Sequence, residues 1–258
     1  MFRHSLTYVI SLLLILVFSE YSFSEETKEE SNKEVKEEPT KEEEEKEEYI
    51  EDKVKDFDSF EGFIQVYQDP ETSDLYFSLE ENQLSKEFIY FAHVRDGVVA
   101  ARRNRGSYLD NGVFKFEKHF DTIRLIRVNT GFSLDENSAL SKSSGANISD
   151  SVIQVFPINS MNKEENQFLI NVSSLFVSEA LTPIKPIPNP NYPPPDFMWG
   201  QLSAEKSRIL STHNYPKNTD VEIEYVFENP PSAEYEEEDA SDPRNISIFL
   251  RYSFIEMP

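Results

Sequence analysis

Apolar and polar residues alternate along much of the chain after Phe57, and the alternation has the period of two that is typical of β-strands. The apolar runs between residues 62 and 128 are separated by short turn-forming sequences, which predicts a meander of about six antiparallel strands. The runs are Gly62–Tyr67, Leu75–Leu79, Phe88–Arg95, Val98–Arg105, Gly106–Asp110, Val113–Phe120 and Thr122–Val128.

Two dipeptides predict where this meander turns. Asp96-Gly97 lies between two extended runs, and Asn111-Gly112 repeats the arrangement further along the chain. Such pairs favour type I′ hairpin turns, because both central residues of that turn need a positive φ. We therefore expect one hairpin at each dipeptide.

Residues after 128 have a mixed pattern. Capping residues and apolar spacing predict short helices over Asn147–Asp150, Ser174–Leu181 and Ser203–Ser211. Seven prolines fall within residues 183–195, so this segment is expected to run over the surface as polyproline II. Strict alternation predicts closing strands over Val221–Phe227 and Ile246–Phe254. The predicted fold class is α+β, with a predominantly antiparallel β-sheet and a few short helices.

Charge divides the chain into parts. The 258 residues carry a formal net charge of −23, and residues 25–55 contribute 15 acidic and 7 basic side chains to it. Residues 25–56 have too little apolar surface to fold, which predicts a disordered, low-complexity acidic tether before a β-rich domain at 57–258. The acidic balance argues against nucleic-acid binding. The absence of Cys excludes disulfides and cysteine nucleophiles.

The first 24 residues have the pattern of a secretory signal peptide. Arg3 and His4 precede the apolar stretch Leu6–Phe18, and small residues lead to a predicted cleavage site after Ser24. An uncleaved anchor is the alternative, although a mainly apolar stretch of thirteen residues is short for a bilayer. The pattern predicts export to the periplasm or the extracellular space, with no stable membrane span after cleavage.

Motifs that would indicate catalysis are missing from the sequence. It contains no HExxH, GxSxG or phosphate-binding loop, and His93, His119 and His213 do not have a metal-ligand spacing. The acidic loop Glu234–Asp242 lacks the alternate ligand positions and the turn glycine of an EF-hand, so a solvated loop is the better interpretation than a Ca²⁺ site. We predict no catalytic residue, no metal site and no cofactor.

Four arginines form the strongest candidate for an interaction surface. Arg102, Arg103 and Arg105 fall on one predicted strand, and Arg95 lies on the strand predicted to pair with it. They are interpreted either as a docking surface for an acidic partner or as ion pairs with the chain's own carboxylates, which contribute little to stability when exposed.

Several segments resemble the N-terminal domain of unknown function found in large secreted bacterial zinc-dependent metalloproteases. The resemblance extends in order over about residues 57–258. The segments that carry it are GFIQVYQDPETSDLYFSLEENQLSKEFIYF, RGSYLDNGVFKFEKHFDTIRLIRVNTGF, ENSALSKSSGANISDSVIQVFPI, DVEIEYVFEN and SDPRNISIFLRYSFIEMP.

The resemblance implies a non-catalytic role. In that family the HExxH zinc helix belongs to a downstream zincin module, and no position here matches it. We expect either a truncated or split metalloprotease gene product whose partner is that module, or a domain that works alone. The predicted function is an accessory or prodomain-like region of an exported metalloprotease. The alternative is a freestanding secreted binding domain, and an enzyme in its own right is disfavoured.

Overall fold

The computed structural model describes residues 48–131, 148–187, 190–191, 197–231 and 240–258. Strands are the main regular structure of these residues, and the helices among them are two four-residue α-helices and one 3₁₀ helix at Glu81–Gln83. The helices are α1 (Ile50–Lys53) and α2 (Ser173–Phe176). The strands are β1 (Asp58–Phe60), β2 (Gln65–Gln68), β3 (Leu75–Glu80), β4 (Glu87–Asp96), β5 (Tyr108–His119), β6 (Thr122–Arg127), β7 (Ser151–Pro157), β8 (Ser160–Met161), β9 (Gln167–Asn171), β10 (Gln201–Tyr215), β11 (Asn218–Glu228) and β12 (Asn245–Glu256).

The strands build two antiparallel sheets. One has seven strands in the order β10-β11-β12-β4-β5-β6-β7, and the other has five in the order β1-β2-β3-β9-β8. The prediction of a predominantly antiparallel β fold is confirmed, and helix is a minor component. The expected single meander over 62–128 is wrong, because β2 and β3 belong to the five-stranded sheet while β4, β5 and β6 belong to the other.

The core lies between the two sheets. Alternate residues of β4 face inward, and the same holds for β12. Tyr90 of β4 and Phe254 of β12 are therefore fully buried, whereas their neighbours along each strand face the other side of the sheet. Phe77 of β3 meets Phe254 of β12 edge to face, with 5.8 Å between ring centroids, and Phe176 of α2 lies 5.9 Å from Phe77. Such aromatic contacts stabilise beyond the area they bury.

A polar joint ties the two sheets together at one corner. The Asn214 side chain of β10 donates hydrogen bonds to the carbonyls of Phe60 (2.7 Å) and Ile64 (2.6 Å). The Thr219 hydroxyl donates to the Asn214 side-chain oxygen and accepts from the Ile64 N–H. A Cβ on Gly62 would lie 2.1 Å from that oxygen, so this close approach requires glycine.

The predicted turn at Asn111-Gly112 is wrong, because both residues lie inside the continuous strand β5. Asn111 pairs with Phe91 and Gly112 with Tyr90 of β4. The Arg127 side chain lies against the face of Gly112, where an added Cβ would be 3.2 Å from its Nε. Glycine at this position makes room for a neighbouring side chain and does not form a turn.

The predicted strand Val98–Arg105 is also wrong. The chain leaves β4 after Asp96 and folds into consecutive turns, with Arg102 at φ 56° and hydrogen bonds from the N–H groups of Arg102 and Arg103 to the carbonyls of Val99 and Val98. The physical reason is local, because the backbone packs so tightly there that a Cβ on Gly97 would lie 2.5 Å from the Arg103 carbonyl oxygen.

The predicted helix Ser203–Ser211 lies within β10. Ser203 of β10 pairs with Val226 of β11, and Arg208 pairs with Glu224. The chain therefore advances five residues on β10 but only two on β11, so β10 bulges between these pairs. This bulge interrupts the two-residue alternation, so the apolar positions acquire a spacing that resembles a helix. Pairing with β11 then decides the conformation.

The other two predicted helices are absent or short. Residues 148–150 are an irregular segment before β7, and the helix expected over Ser174–Leu181 ends at Phe176 as α2. The Ser173 hydroxyl at the start of this helix accepts a hydrogen bond from the Leu75 N–H, and no side chain caps the helix.

The folded region begins earlier than the predicted residue 57. Ile50 of α1 is buried, and the Ser160 hydroxyl donates a hydrogen bond to the Glu48 carbonyl, so residues 48–56 belong to the fold and not to the tether. The signal segment 1–24 with Ser24 and the tether before residue 48 lie outside the described residues. No helix in the described part is long and apolar enough to cross a membrane.

Two further predictions fall partly on described residues. In the proline-rich segment, Ile184 is fully buried and Ile187 is exposed, so this segment is not confined to the surface. Residues 188–189 and 192–195 of that segment, and residues 234–239 of the acidic loop, lie outside the described residues.

Replacing Asn214 by Ala tests the corner joint. We expect the free energy of unfolding to fall by about 2–3 kcal/mol, because two carbonyls and the Thr219 hydroxyl lose a partner. Chemical denaturation followed by circular dichroism measures the change. Asn111→Ala on the exposed face of β5 is the control, with an expected change within about 0.5 kcal/mol. Equal effects of the two substitutions would contradict the joint.

Candidate functional site

One end of the two-sheet sandwich collects several strand ends and turns. β4 begins there, and its Phe88 pairs with Glu256 at the end of β12. The β10–β11 turn at Pro216, the end of β3 and the β5–β6 turn lie at the same end. The elements that meet at this end come from widely separated parts of the sequence.

A cleft of about 690 Å³ opens at this end. Three phenylalanines form its apolar floor, with 6.3 Å between the ring centroids of Phe63 and Phe88 and 5.4 Å between those of Phe88 and Phe116. The remaining lining comes from the loop after β1, the 3₁₀ helix, the start of β4, the β10–β11 turn and the end of the chain. Those lining residues are Gly62, Ile64, Glu80, Asn82, Gln83, Lys86, Glu87, Pro216, Glu256 and Met257.

Hydrogen bonds fix the walls of the cleft. The Gln83 side chain donates to the Phe63 carbonyl (2.8 Å) and accepts from the Glu80 N–H (2.9 Å). Ser85 adopts a φ of 63°, and its N–H donates to the Phe116 carbonyl across the cleft wall. The cleft is therefore formed before any ligand binds.

The rim of the cleft is acidic. The carboxylates of Glu80, Glu87 and Glu256 line it together with a single ammonium group, that of Lys86. Glu80 accepts a hydrogen bond from the Asn82 amide (2.7 Å), and Glu256 lies 3.4 Å from the Lys217 ammonium. Within the described residues Glu87 forms no ion pair. A positive group that enters the cleft therefore meets an unpaired carboxylate.

Large apolar side chains are exposed at the same end of the sandwich. Phe120, in the β5–β6 turn, is 80% exposed, and Tyr215 and Met257 are partly exposed beside the cleft elements. The cleft itself combines an apolar phenylalanine floor with a border of carboxylates. That chemistry suits an apolar ligand with a positive charge.

The histidines are spread through the structure. His93 lies on β4, His119 at the end of β5 and His213 on β10. In the described segments no group of three or more His, Asp or Glu side chains could hold a metal ion.

The four predicted arginines differ in their contacts within the chain. Arg103 is half-buried; its Nε donates to the Ile184 carbonyl (2.7 Å) and its guanidinium lies 5.7 Å from the Trp199 ring centroid. Arg95 pairs with Glu222, whereas Arg105 lies 3.5 Å from Asp96 and stays exposed. Arg102 lies in the turns before β5. Arg95 and Arg105 thus form the ion pairs of the second interpretation, Arg103 contacts a backbone carbonyl and a tryptophan ring instead, and the docking surface stays a prediction.

The sequence interpretation missed a buried carboxylate on the outer face of the seven-stranded sheet. Glu222 of β11 has a side chain only 3% exposed and is held by both Arg95 and Arg251, with Arg251 Nε 3.0 Å from its carboxylate. The Ser211 hydroxyl also donates to it. Strand alternation placed Glu222 on the outer face, but the arginines that cover it come from β4 and β12.

Opposing effects act on the Glu222 carboxyl. Burial raises its pKa, but hydrogen bonds and charges from Arg251 and Arg95 outweigh burial and hold the pKa below the ordinary value of 4.5. His93 faces the same cluster, and its pKa is lowered by burial and by Arg251, which favours the neutral imidazole. The cluster therefore holds an ionised carboxylate at neutral pH.

Substituting Arg103 by Ala tests whether the contacts of this half-buried arginine stabilise the fold. We expect a loss of about 1–2 kcal/mol of unfolding free energy, since a hydrogen bond and a cation–π contact disappear. The emission of Trp199, the only tryptophan, should shift as its neighbour is removed. Arg105→Ala is the matched control and should change neither the stability nor the emission. An Arg103→Ala protein as stable as the control would refute the structural role.

Glu222→Gln tests the buried carboxylate through its pH dependence. Because folding lowers the pKa of Glu222, its contribution is present above pH 4.5 and is lost as pH falls through the lower folded value. At pH 7 the variant should be about 1–3 kcal/mol less stable, discounted for the partial exposure of both arginines. Urea denaturation from pH 7 to pH 3 should show this difference shrinking below pH 4.5, and a constant difference would contradict the assignment.

Comparison with known proteins gives a family but no activity. The profile described as Domain of unknown function (DUF5117) matches residues 106–258, and the match names no metalloprotease. No curated protein and no solved structure matches the chain. Because the matched residues are more than half of the 258, the chain belongs to the family Domain of unknown function (DUF5117).

Proposed function

We propose that this chain is a non-catalytic accessory region of an exported bacterial zinc-dependent metalloprotease and that it works by holding a segment of protein. The observation that carries the binding role is the preformed cleft, with its phenylalanine floor and its acidic rim. Its volume of about 690 Å³ falls within the range of ordinary ligand sites.

Two sequence features support the assignment to an exported metalloprotease. The segments between residues 62 and 258 resemble the N-terminal domain of that class, and residues 1–24 have the pattern of a signal peptide. In such a setting the cleft would orient a protein substrate or hold part of the catalytic module. Neither role requires a reacting group in the cleft.

The second candidate is a freestanding secreted binding domain. It is favoured by the construction of the cleft, whose lining residues all come from one compact unit, Lys46–Pro258. The acidic tract before this unit would then separate the binding end from an attachment point.

The experiment begins with the gene. The reading frame after the codon for Pro258, and the genes beside it, are expected to encode a zincin module with HExxH. That module, purified separately, should bind the full chain in a titration. Binding should change the module's peptidase rate at least threefold or shift its melting temperature by several degrees. The same titration with Glu87→Lys should be weaker, because the substitution reverses a charge on the cleft rim.

The control is Glu71→Lys in the β2–β3 turn at the opposite end of the sandwich, which should bind like the unchanged chain. Peptidase activity of the purified chain alone that a zinc chelator abolishes would overturn the non-catalytic assignment. A zincin module that ignores the chain would overturn the accessory role and leave the freestanding domain.

A further inference from the structure

We infer that the cleft binds an extended segment of a partner protein in which a bulky apolar side chain lies next to Lys or Arg, and that Phe120 is an anchor for that segment. This inference rests on the proposed binding role of the cleft and adds the chemistry of what it binds. Three independent observations support it: the floor, the rim and the β5–β6 turn.

The floor accepts an apolar side chain. Phe88 and Phe116 pack with a 27° angle between their rings, and Phe63 meets Phe88 nearly edge on. Each of these rings is held from behind by the core or by a backbone hydrogen bond, so the floor does not need to collapse or reorganise. A leucine or an aromatic side chain entering here would exchange contact with water for contact with aromatic rings.

The rim selects the charge of the ligand. Three carboxylates line the cleft with the Lys86 ammonium, Glu256 is also paired with Lys217, and Glu87 has no ion-pair partner among the described residues. The chain as a whole carries a net charge of −23, which attracts a cationic partner over long range and repels a second copy of itself. Carboxylates also disfavour phosphate-bearing ligands. A Lys or Arg beside the apolar side chain of the ligand would be attracted both by the carboxylates of the rim and by the net negative charge of the chain.

Phenylalanine at position 120 is conformationally unfavourable for its turn. His119 pairs with Thr122, which leaves Phe120 and Asp121 as a two-residue turn, and only Phe120 has a positive φ, of 53°. A positive φ at the first central position of a two-residue hairpin turn favours glycine there, because a side chain is strained in that region. The side chain is also 80% exposed and gains little from burial within the chain. Strain retained at an exposed aromatic points to contact with a partner.

The spacing allows one segment to reach both features. Phe120 lies four residues beyond Phe116, which lines the cleft, and this corresponds to about 13 Å along the strand direction. Four or five extended residues of a partner span that distance. An apolar anchor in the cleft and a contact on Phe120 can therefore belong to the same stretch of chain.

Three fluorescent decapeptides test the inference against the full chain. The first contains Phe and two Leu interspersed with three Lys in a Gly/Ser background; the second replaces the Lys by Glu, and the third replaces the apolar residues by Ser. Fluorescence anisotropy should show at least tenfold tighter binding of the first peptide than of either other. Its affinity should fall as salt rises, because charge contributes to binding.

Variants of the chain then locate the site. Phe120→Gly and Glu87→Lys should each weaken binding of the first peptide at least fivefold. Phe120→Gly should also leave the melting temperature unchanged or raise it, because glycine suits the positive φ. Val99→Ser and Glu71→Lys are the controls, since both residues lie in turns at the opposite end of the sandwich, and both variants should bind normally.

The outcomes divide cleanly. Preferential binding of the Lys-bearing apolar peptide, lost in both site variants and kept in both controls, supports the inference. Equal binding of all three peptides, no binding, or full affinity in Phe120→Gly overturns it. If the zincin module binds the chain through Glu87 while every peptide fails, the proposed function stands and only the ligand chemistry is wrong.

Discussion

The mutual packing of Phe77, Phe254 and Phe176 is the contact on which the rest of this structure depends. It joins β3 of one sheet to β12 of the other, and α2 covers it from the side. Removing any of these rings would leave a cavity between sheets that otherwise meet through alternate apolar residues. Because the pairing brings together residues about 180 positions apart, the two sheets form only when distant parts of the chain meet.

The cleft is a consequence of how the sheets are joined at its end. Asn214 holds the loop after β1 against the β10–β11 hairpin, and Gly62, which lies against the Asn214 side chain, is itself part of the cleft lining. The joint therefore places Phe63 opposite Phe88 and keeps the end of the sandwich open beside it. Stability and the shape of the cleft depend on the same few hydrogen bonds at this corner.

The family match and the fold have different boundaries. The matched residues begin at 106 and include β5–β7 and β10–β12, yet β4 lies between β5 and β12 in the seven-stranded sheet. Tyr90 of β4 is fully buried between these neighbours, so the sheet is not continuous without a strand that precedes the match. The structural unit begins before β1, where Ile50 is buried against β8 and its surroundings.

Alternation in the sequence by itself determined the strands whose two faces differ, such as β11 and β12, and the predominantly β character of the fold, because a half-buried strand must repeat every two residues. Local signals could not decide Asn111-Gly112, which suits a turn as well as a crowded strand, or β10, where bulges hide the alternation. Nor could they reveal that Arg103 supports Trp199 or that Glu222 is covered by arginines of two other strands. The phenylalanines of the cleft were visible as apolar residues, but their meeting was not. Those features were decided by tertiary structure, because each depends on a partner that is distant in sequence and is brought close only when the sheets assemble.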